Sequence, residues 1–430
     1  RLNGAELMDR WGGNTQDESF ELMQQAVDCG VDMISVTVGW QEAPESSFGR
    51  DVEPGYWNFL SEKAKKMFPN VLVAFGNRLP DPAMANDCVR DGIFDYWEVC
   101  RPLLADPEMI HKAAEDRMDE VRPCIGSLNC LSRLFRDLPY TCTMNPMLGH
   151  EVEPEYHVTE ATEKKRVMVI GAGPAGMEAA ITARRRGHSV TVFDKADKIG
   201  GNLAAYAAND VARPADLQSV IDYYGVMAKK LGVEVRLNTE ANAKFMRSVL
   251  HEYDACIVAA GARTDMEVFR YMPGAELLID ALEIAHGRKT VGKRVVMIGG
   301  GMIGLTIAEF LQKAGHEVTV VEKEKRVGGD IMPTFKWRHT AWVDELGIET
   351  VCSAELVKVT AEGATVKAAK GGERFIPCDN VIVSSPRRAN HDLFYEFQWM
   401  VDELHGGGDA TVPRGLDAAI QEGYKLGVRI

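Results

Sequence analysis

Three cysteines lie close together in the stretch RPCIGSLNCLSRLFRDLPYTCTMNP, which covers residues 122–146. Cys124, Cys130 and Cys142 fall within nineteen positions, and Ser127 lies between the first two. Four thiolates ordinarily hold a 4Fe–4S cluster, and a serine hydroxyl is a much weaker acid than a thiol. The spacing by itself leaves open an iron–sulfur site in which Ser127 or an outside group is the fourth ligand. A three-iron cluster and three unrelated buried cysteines are the alternatives.

Two later stretches carry glycine loops of the form G-x-G-x-x-G. The first combines Gly171, Gly173 and Gly176 with Asp194, and the second combines Gly299, Gly301 and Gly304 with Glu322. Each loop follows an apolar strand pattern, opens a helix pattern and precedes an acid 18 residues after its last glycine. Such glycines let the backbone approach a pyrophosphate, the helix N-terminus stabilises its charge, and the acid accepts hydrogen bonds from a ribose. The loops predict two dinucleotide sites, against the alternative of glycine turns that bind nothing.

The second acid also bears on the choice between NADH and NADPH. A carboxylate at this position repels a 2′-phosphate, so Glu322 favours NADH. Three basic residues that follow it, Lys323, Lys325 and Arg326, leave NADPH open, although a solvated basic turn explains them as well.

Length, composition and charge limit the function. At 430 residues the chain is expected to form two or three domains. A net charge of −14 argues against nucleic acid and membrane as main partners, and no apolar run is long enough to span a bilayer. Nine cysteines, thinly spread outside the 122–146 stretch, suit a reducing compartment, and we expect a cytoplasmic protein.

The first 120 residues alternate apolar runs with helical patterns, which predicts parallel strands at 31–40, 70–78 and 94–102. A polar connector at 151–166 leads to two similar segments, which begin at Lys165 and Lys293. Each segment has the order strand, glycine turn, helix, strand and acid. The chain therefore contains a duplicated dinucleotide-binding unit.

The tandem resembles the two-dinucleotide flavoprotein reductases of the glutathione-reductase-like group. The motifs KIGGNL (198–203), DACIVAAGA (254–262) and GGGDATVPRGLDAAIQEGYKLG (406–427) carry this resemblance. Beyond the first glycine loop, it implies FAD contacts at Ala175, Lys195, Gly201, Asn202, Ala260, Gly261 and, on the ribityl chain, Asp409. It also implies an FAD-binding domain formed by 163–285 and 395–430, with an NAD(P)H-binding domain at 286–394 inserted.

The whole order of motifs resembles the old-yellow-enzyme-like iron–sulfur flavoenzymes, which include 2,4-dienoyl-CoA reductase, enoate reductases and trimethylamine dehydrogenase. SVTVGW, AFGNR and CRPLLADPE precede the cysteines, and CIGSLNCLS and CTMNP match the family's cluster motif except at Ser127. The resemblance implies an α/β fold: the C-terminal part of an FMN-binding TIM barrel at 1–120, a cluster segment and linker at 121–162, and then the FAD/NAD tandem. It places Arg1 at the flavin pyrimidine and surrounds the FMN phosphate with Gly76, Asn77, Arg78, Cys100 and Arg101.

Two departures from this family bear on the chemistry. Where dienoyl-CoA reductases carry G-W-H-E-A-R, this chain has GWQEAP, so Gln41 replaces a histidine near the substrate and Pro44 an arginine. A glutamine cannot act as a general acid near neutral pH, which weakens the case for an acyl-CoA substrate. A TIM barrel also needs eight strands, and this chain supplies only the last three and the end of one more at Arg1. The other half of the barrel is expected from the same chain or another.

The leading hypothesis is an oxidoreductase that passes electrons from NADH through FAD, a 4Fe–4S cluster and FMN to an activated C=C bond of an enoate or enone. The first alternative is an N-methylated amine dehydrogenase, in which FMN oxidises the amine. The second is a diaphorase-like electron-input module without FMN. The expected partner is a small-molecule substrate, and a homo-oligomer stays open.

Overall fold

The computed structural model describes residues 1–40, 42–43, 45–369 and 371–430. It divides into two compact units, Arg1–Ser127 and Leu128–Ile430. The division falls inside the cysteine-bearing stretch, between Ser127 and Leu128.

The first unit is built on a parallel sheet. Its strands are β1 (Leu2–Ala5), β2 (Met33–Val38), β3 (Leu72–Phe75) and β4 (Tyr96–Trp97). They lie in the order β1-β2-β3-β4, with Ile34 beside Val73 and Ala74 beside Tyr96. The predicted runs at 31–40, 70–78 and 94–102 therefore contain strands, since β-branched and aromatic residues suit a buried parallel sheet.

Helices cover this sheet. They are α1 (Gln16–Asp28), α2 (Asn58–Met67), α3 (Pro82–Arg90), α4 (Arg101–Ala105) and α5 (Met109–Ala114). Helix α1 begins with a capping box, in which Thr15 and Glu18 satisfy each other's backbone N–H groups. The core beneath the helices contains Phe20, Val36 and Phe75, all nearly inaccessible to solvent.

The second unit contains the remaining strands and helices. The strands are β5 (Arg166–Ile170), β6 (Ser189–Phe193), β7 (Glu234–Arg236), β8 (Ala255–Val258), β9 (Ala262–Thr264), β10 (Leu278–Asp280), β11 (Arg294–Ile298), β12 (Glu317–Glu322), β13 (Glu349–Cys352), β14 (Ala354–Thr360), β15 (Gly363–Ala368), β16 (Glu373–Pro377), β17 (Asn380–Val383), β18 (Arg387–Ala389) and β19 (Leu404–Gly406). The helices are α6 (Asn129–Leu134), α7 (Pro174–Arg185), α8 (Asn202–Asn209), α9 (Pro214–Leu231), α10 (Ala243–Val249), α11 (Ala281–Ala285), α12 (Met302–Lys313), α13 (Pro333–Glu345), α14 (Asp392–Phe397) and α15 (Leu416–Arg429).

Two parallel five-stranded sheets organise this unit, in the orders β19-β8-β5-β6-β7 and β10-β17-β11-β12-β13. In each sheet the strand before a glycine loop, β5 or β11, lies between two others. The strand that leads to the acid is its neighbour: β6 ends one residue before Asp194, and β12 ends at Glu322. An antiparallel pair, β9 and β18, connects the two halves, and β14-β15-β16 form an antiparallel sheet. The duplication in the sequence is therefore a duplication of sheets.

Across the part of the chain that the structure describes, no helix combines the length and apolar character that a membrane span requires.

Candidate dinucleotide and flavin sites

The first glycine loop connects β5 to α7. Gly171 has a φ of +110°. If Gly176 carried a side chain, its Cβ atom would overlap the Gly171 carbonyl oxygen. Only glycine at both positions allows the helix to start this close to the strand end. A Cβ at Gly173, by contrast, would meet nothing within 4 Å, so open space lies at the N-terminus of α7. These residues fit a pyrophosphate cradle.

The Asp194 side chain folds back over this loop. Its Oδ2 atom accepts a hydrogen bond from the Ala172 N–H at 2.7 Å, and its Oδ1 atom accepts one from the Ala196 N–H at 2.8 Å. A carboxylate has about four acceptor positions, so both oxygens retain capacity for ribose hydroxyls. The Asp194 side chain thus lies against the first glycine loop, while its neighbour Lys195 is exposed.

The other predicted FAD residues surround the same loop. Gly201 has a φ of +55°, and a Cβ there would lie 3.1 Å from Gly173 Cα. Asn202 Nδ2 donates to the Ala262 carbonyl at 3.0 Å. Ala175 is buried and packs with residues of α15 and the end of β8. The second glycine pair and the first loop are therefore brought together.

Asn390, which no sequence motif marked, makes two hydrogen bonds to the A-x-G motif that follows β8. Asn390 Nδ2 donates to the Ala260 carbonyl at 2.9 Å, and the Asn390 N–H donates to the Gly261 carbonyl at 3.0 Å. Asp409 lies within the return segment at 395–430, and its Oδ1 atom accepts from the backbone N–H groups of Arg414 and Gly415 at 2.9 and 3.2 Å. These contacts order the backbone that an FAD molecule would touch.

The second glycine loop connects β11 to α12 in the same way. Gly299 has a φ of +99°, and a Cβ at Gly304 would overlap the Gly299 carbonyl oxygen. Glu322 Oε2 accepts from the Gly300 N–H at 2.6 Å, and Oε1 accepts from the Glu324 N–H at 2.9 Å. This arrangement repeats that of Asp194 and fits a second dinucleotide.

A further acid, Asp330, lies at the second glycine loop, and the sequence motifs did not predict it. Asp330 Oδ1 accepts from the Met302 N–H at 2.9 Å, and a Cβ at Gly301 would lie 2.9 Å from Asp330 Oδ2. The carboxylate therefore lies at the N-terminus of α12, where a pyrophosphate would bind. The spacing between Gly301 and Asp330 matches no known motif, so the sequence offered no sign of this contact.

In the first unit, the predicted FMN residues make these contacts. Asn77 Nδ2 donates to the Ser47 carbonyl at 2.7 Å, and the buried Arg78 donates from Nε to the Val52 carbonyl at 2.7 Å. Arg101 Nη1 donates to the Phe48 carbonyl at 3.0 Å. Cys100 is exposed immediately before α4, and a Cβ at Gly76 would overlap the Glu98 carbonyl. The two arginines fit a phosphate site in chemical type.

Arg1 lies near a carboxylate. Its Nη2 atom is 3.8 Å from Glu98 Oε2, which also accepts from the Ser35 hydroxyl at 2.9 Å. Glu98 therefore has polar partners of its own. The predictions at Gln41 and Pro44 fall outside the described residues.

The three clustered cysteines are half-buried, and none of the nine cysteines forms a disulfide. Cys142 Sγ accepts from the Met144 N–H at 3.4 Å, and Gln421 Nε2 donates to the Cys142 carbonyl at 3.2 Å. Amide hydrogen bonds to sulfur are one of the features that tune iron–sulfur clusters. Among the described residues, however, no three His, Cys, Asp or Glu side chains are grouped so as to hold a metal ion. The cluster, with Ser127 in its ligand set, stays a prediction.

Comparisons with known proteins place this geometry among flavoenzymes. A family model described as pyridine nucleotide-disulphide oxidoreductase matches residues 165–407. Cinnamate reductase of Clostridium sporogenes is 30% identical, over 99% of this chain and 64% of that protein. Metal reductase of Desulforamulus reducens is 28% identical, over 100% of this chain and 68% of that protein.

A solved structure extends the likeness to the whole fold. The complex of 2-naphthoyl-CoA reductase with 2-naphthoyl-CoA has a TM-score of 0.94 and 31% identity, and covers 100% of this chain and 64% of that one. The chain thus spans about two thirds of the length of the proteins it matches. The fold class and the family resemblance predicted from the motifs are confirmed, and the matched family implies FAD and NAD(H).

Proposed function

Because the chain belongs to the pyridine nucleotide-disulphide oxidoreductase family, we propose that it acts in an NAD(P)H-dependent flavin oxidoreductase. Electrons would pass from NADH through FAD, a 4Fe–4S cluster and FMN to an activated C=C bond. The observation that carries this proposal is the repeated carboxylate geometry, in which Asp194 and Glu322 each accept the N–H of the second residue of their own glycine loop.

When bound, the nicotinamide and flavin cofactors supply the hydride and electron chemistry. The chain's own residues bind and orient them. The N-termini of α7 and α12 stabilise the two pyrophosphates, and Asp194 and Glu322 hold the adenosine riboses. Asn390 fixes the two carbonyls of the Ala260–Gly261 turn, so that the backbone beside the flavin keeps one shape.

Two observations bear on the substrate class: the names of the relatives, and the glutamine at position 41 where related enzymes carry a histidine. Cinnamate reductase and 2-naphthoyl-CoA reductase bear names of conjugated, unsaturated substrates, which supports an enoate or enone for this chain. Gln41 cannot donate a proton as a general acid, so the proton for the reduced carbon is expected from another residue. The two names differ in whether the substrate is a free acid or a CoA thioester, so the proposal commits to the conjugated C=C bond that they share.

The amine dehydrogenase alternative does not need NADH. The second loop retains its close helix approach at Gly304 and its ribose acid at Glu322, both in the geometry of the first loop. Residues arranged in this way favour NADH as the electron donor.

Cofactor content of the protein purified without oxygen tests the proposal. Acid release of the flavins should give FMN and FAD in equal amounts, together with about four irons per chain. FAD alone, without iron, would overturn the relay and leave a diaphorase-like module.

The dinucleotide preference tests the second site separately. We expect Glu322→Gln to weaken NADH binding about tenfold while changing NADPH binding little, because it removes a charge-assisted ribose contact and a repulsion of the 2′-phosphate. Glu324→Gln makes the same charge change at an exposed side chain nearby and serves as the control.

A further inference from the structure

The junction between the two dinucleotide-binding halves contains a polar pair that neither glycine loop uses. Tyr206 lies on α8, which packs against α11 and α12 of the second half. Arg387 lies on β18, which pairs with β9 at the end of the A-x-G strand. Both residues therefore lie on elements through which the two dinucleotide-binding halves contact each other.

The two side chains interact with each other, and each presents a buried polar atom that makes no well-formed hydrogen bond with the described residues. The Tyr206 hydroxyl and Arg387 Nη1 are each buried, and within the described residues neither has a hydrogen-bond partner. A ligand that offers both an acceptor and a donor would complete the hydrogen bonding of both atoms, which favours its binding there. Burial raises the pKa of Tyr206 to about 12, against the opposing effect of nearby Arg387. The hydroxyl therefore stays protonated at neutral pH.

The surroundings connect the pair to the flavin side. Arg387 Nη2 donates to the Ala262 carbonyl at 2.8 Å, and the same oxygen accepts from Asn202, a residue of the predicted FAD site. Asp409, predicted at the ribityl chain, lies near enough to affect the Tyr206 hydroxyl electrostatically. Arg387 is thereby anchored through one nitrogen while the other is left for a ligand.

We propose that Tyr206 and Arg387 bind the carboxamide of the nicotinamide ring and position that ring against the flavin. A carboxamide offers one acceptor oxygen and two N–H donors. Arg387 Nη1 donates to the oxygen, and the Tyr206 oxygen accepts one amide N–H. The nicotinamide is the part of the dinucleotide that must reach the flavin from the second glycine loop, and α8, which carries Tyr206, packs against α12, the helix that this loop opens. The inference rests on the proposed use of NADH.

Binding of two ligands to the FAD-loaded protein tests this inference without turnover. NAD+ carries the carboxamide, and ADP-ribose lacks the nicotinamide but keeps every contact to the glycine loop and Glu322. We expect wild type to bind NAD+ more tightly than ADP-ribose. Tyr206→Phe and Arg387→Met should each weaken NAD+ binding about tenfold and leave ADP-ribose binding unchanged.

Arg388→Met is the matched control, because the Arg388 guanidinium pairs with Asp392 at 3.8 Å on the surface. If Arg387→Met fails to fold, Arg387→Lys replaces it. Lysine keeps the positive charge but lacks the planar guanidinium group with its fixed N–H donors. Unchanged NAD+ binding in both variants overturns the inference, and so does loss of FAD during purification, which would assign the pair to the flavin. Wild type that binds neither ligand would instead overturn the use of NADH itself.

Discussion

The Asp330 carboxylate accepts a hydrogen bond from the Met302 backbone N–H at 2.9 Å, at the first turn of the helix that the second glycine loop opens. A negative charge at a helix N-terminus is stabilising, but here it lies where a pyrophosphate needs the same N–H groups. The protein therefore places its own anion in competition with the dinucleotide.

We expect Asp330→Asn to tighten the binding of ADP-ribose and NADH about three- to tenfold, because it removes the repulsion while keeping a side chain that can cap the helix. Fluorescence titration at two salt concentrations measures the effect, which should shrink at high salt. Weaker binding in this variant would mean that Asp330 contacts the dinucleotide favourably.

The close approach of α7 to the first glycine loop leads to a second prediction. Gly176→Ala should abolish FAD retention, because its Cβ would overlap the Gly171 carbonyl and push the helix away from the loop. Flavin absorbance per chain measures the loss. Gly225→Ala, inside α9, is the control, since its Cβ would meet only Ile199 Cδ1 at 3.4 Å. Full flavin content in both variants would contradict this account of the loop.

A buried histidine–carboxylate pair connects two helices beside the second site. His339 Nδ1 on α13 lies 2.8 Å from Glu309 Oε1 on α12, and both side chains are almost wholly inaccessible to solvent. His339→Phe should lower the free energy of unfolding by about 3 kcal/mol, because it leaves the buried Glu309 carboxylate without this partner. Chemical denaturation measures the loss, and the double variant Glu309→Leu/His339→Phe should recover most of it. No recovery would assign the loss to packing instead.

The buried Asp417 carboxyl should make the stability of the folded protein depend on pH. Burial raises the pKa of this carboxyl, and Asn129 and Arg133 lower it by a smaller amount. A pKa raised on folding means that the stability contributed by the group is present at low pH and is lost as pH rises through the folded-state value. Asp417→Asn should therefore be more stable than wild type at pH 7, with the difference disappearing below pH 3.8, the ordinary value for the group.

Thermal unfolding across this pH range checks the prediction, with Asp344→Asn on an exposed helix face as the control. A constant difference between wild type and Asp417→Asn at every pH would show that ionisation is not its cause.

Local pattern was sufficient to predict much of this protein. A glycine loop, its strand and its acid lie within about thirty residues, and the interactions that form them are short-range. The sequence therefore predicted both loops, the positions of Asp194 and Glu322, the strands of the first unit and the fold class. The order of motifs along the chain was enough to identify the family.

Contacts between distant residues were decided only by the tertiary structure. Asp330 reaches Met302 from 28 positions away, and Arg387 reaches the Ala262 carbonyl from 125 positions away. No periodicity encodes such contacts, because they depend on how separately formed elements pack. The same reason explains why Tyr206, Asn390 and the His339–Glu309 pair appeared as ordinary helix and loop residues until the fold brought their partners to them.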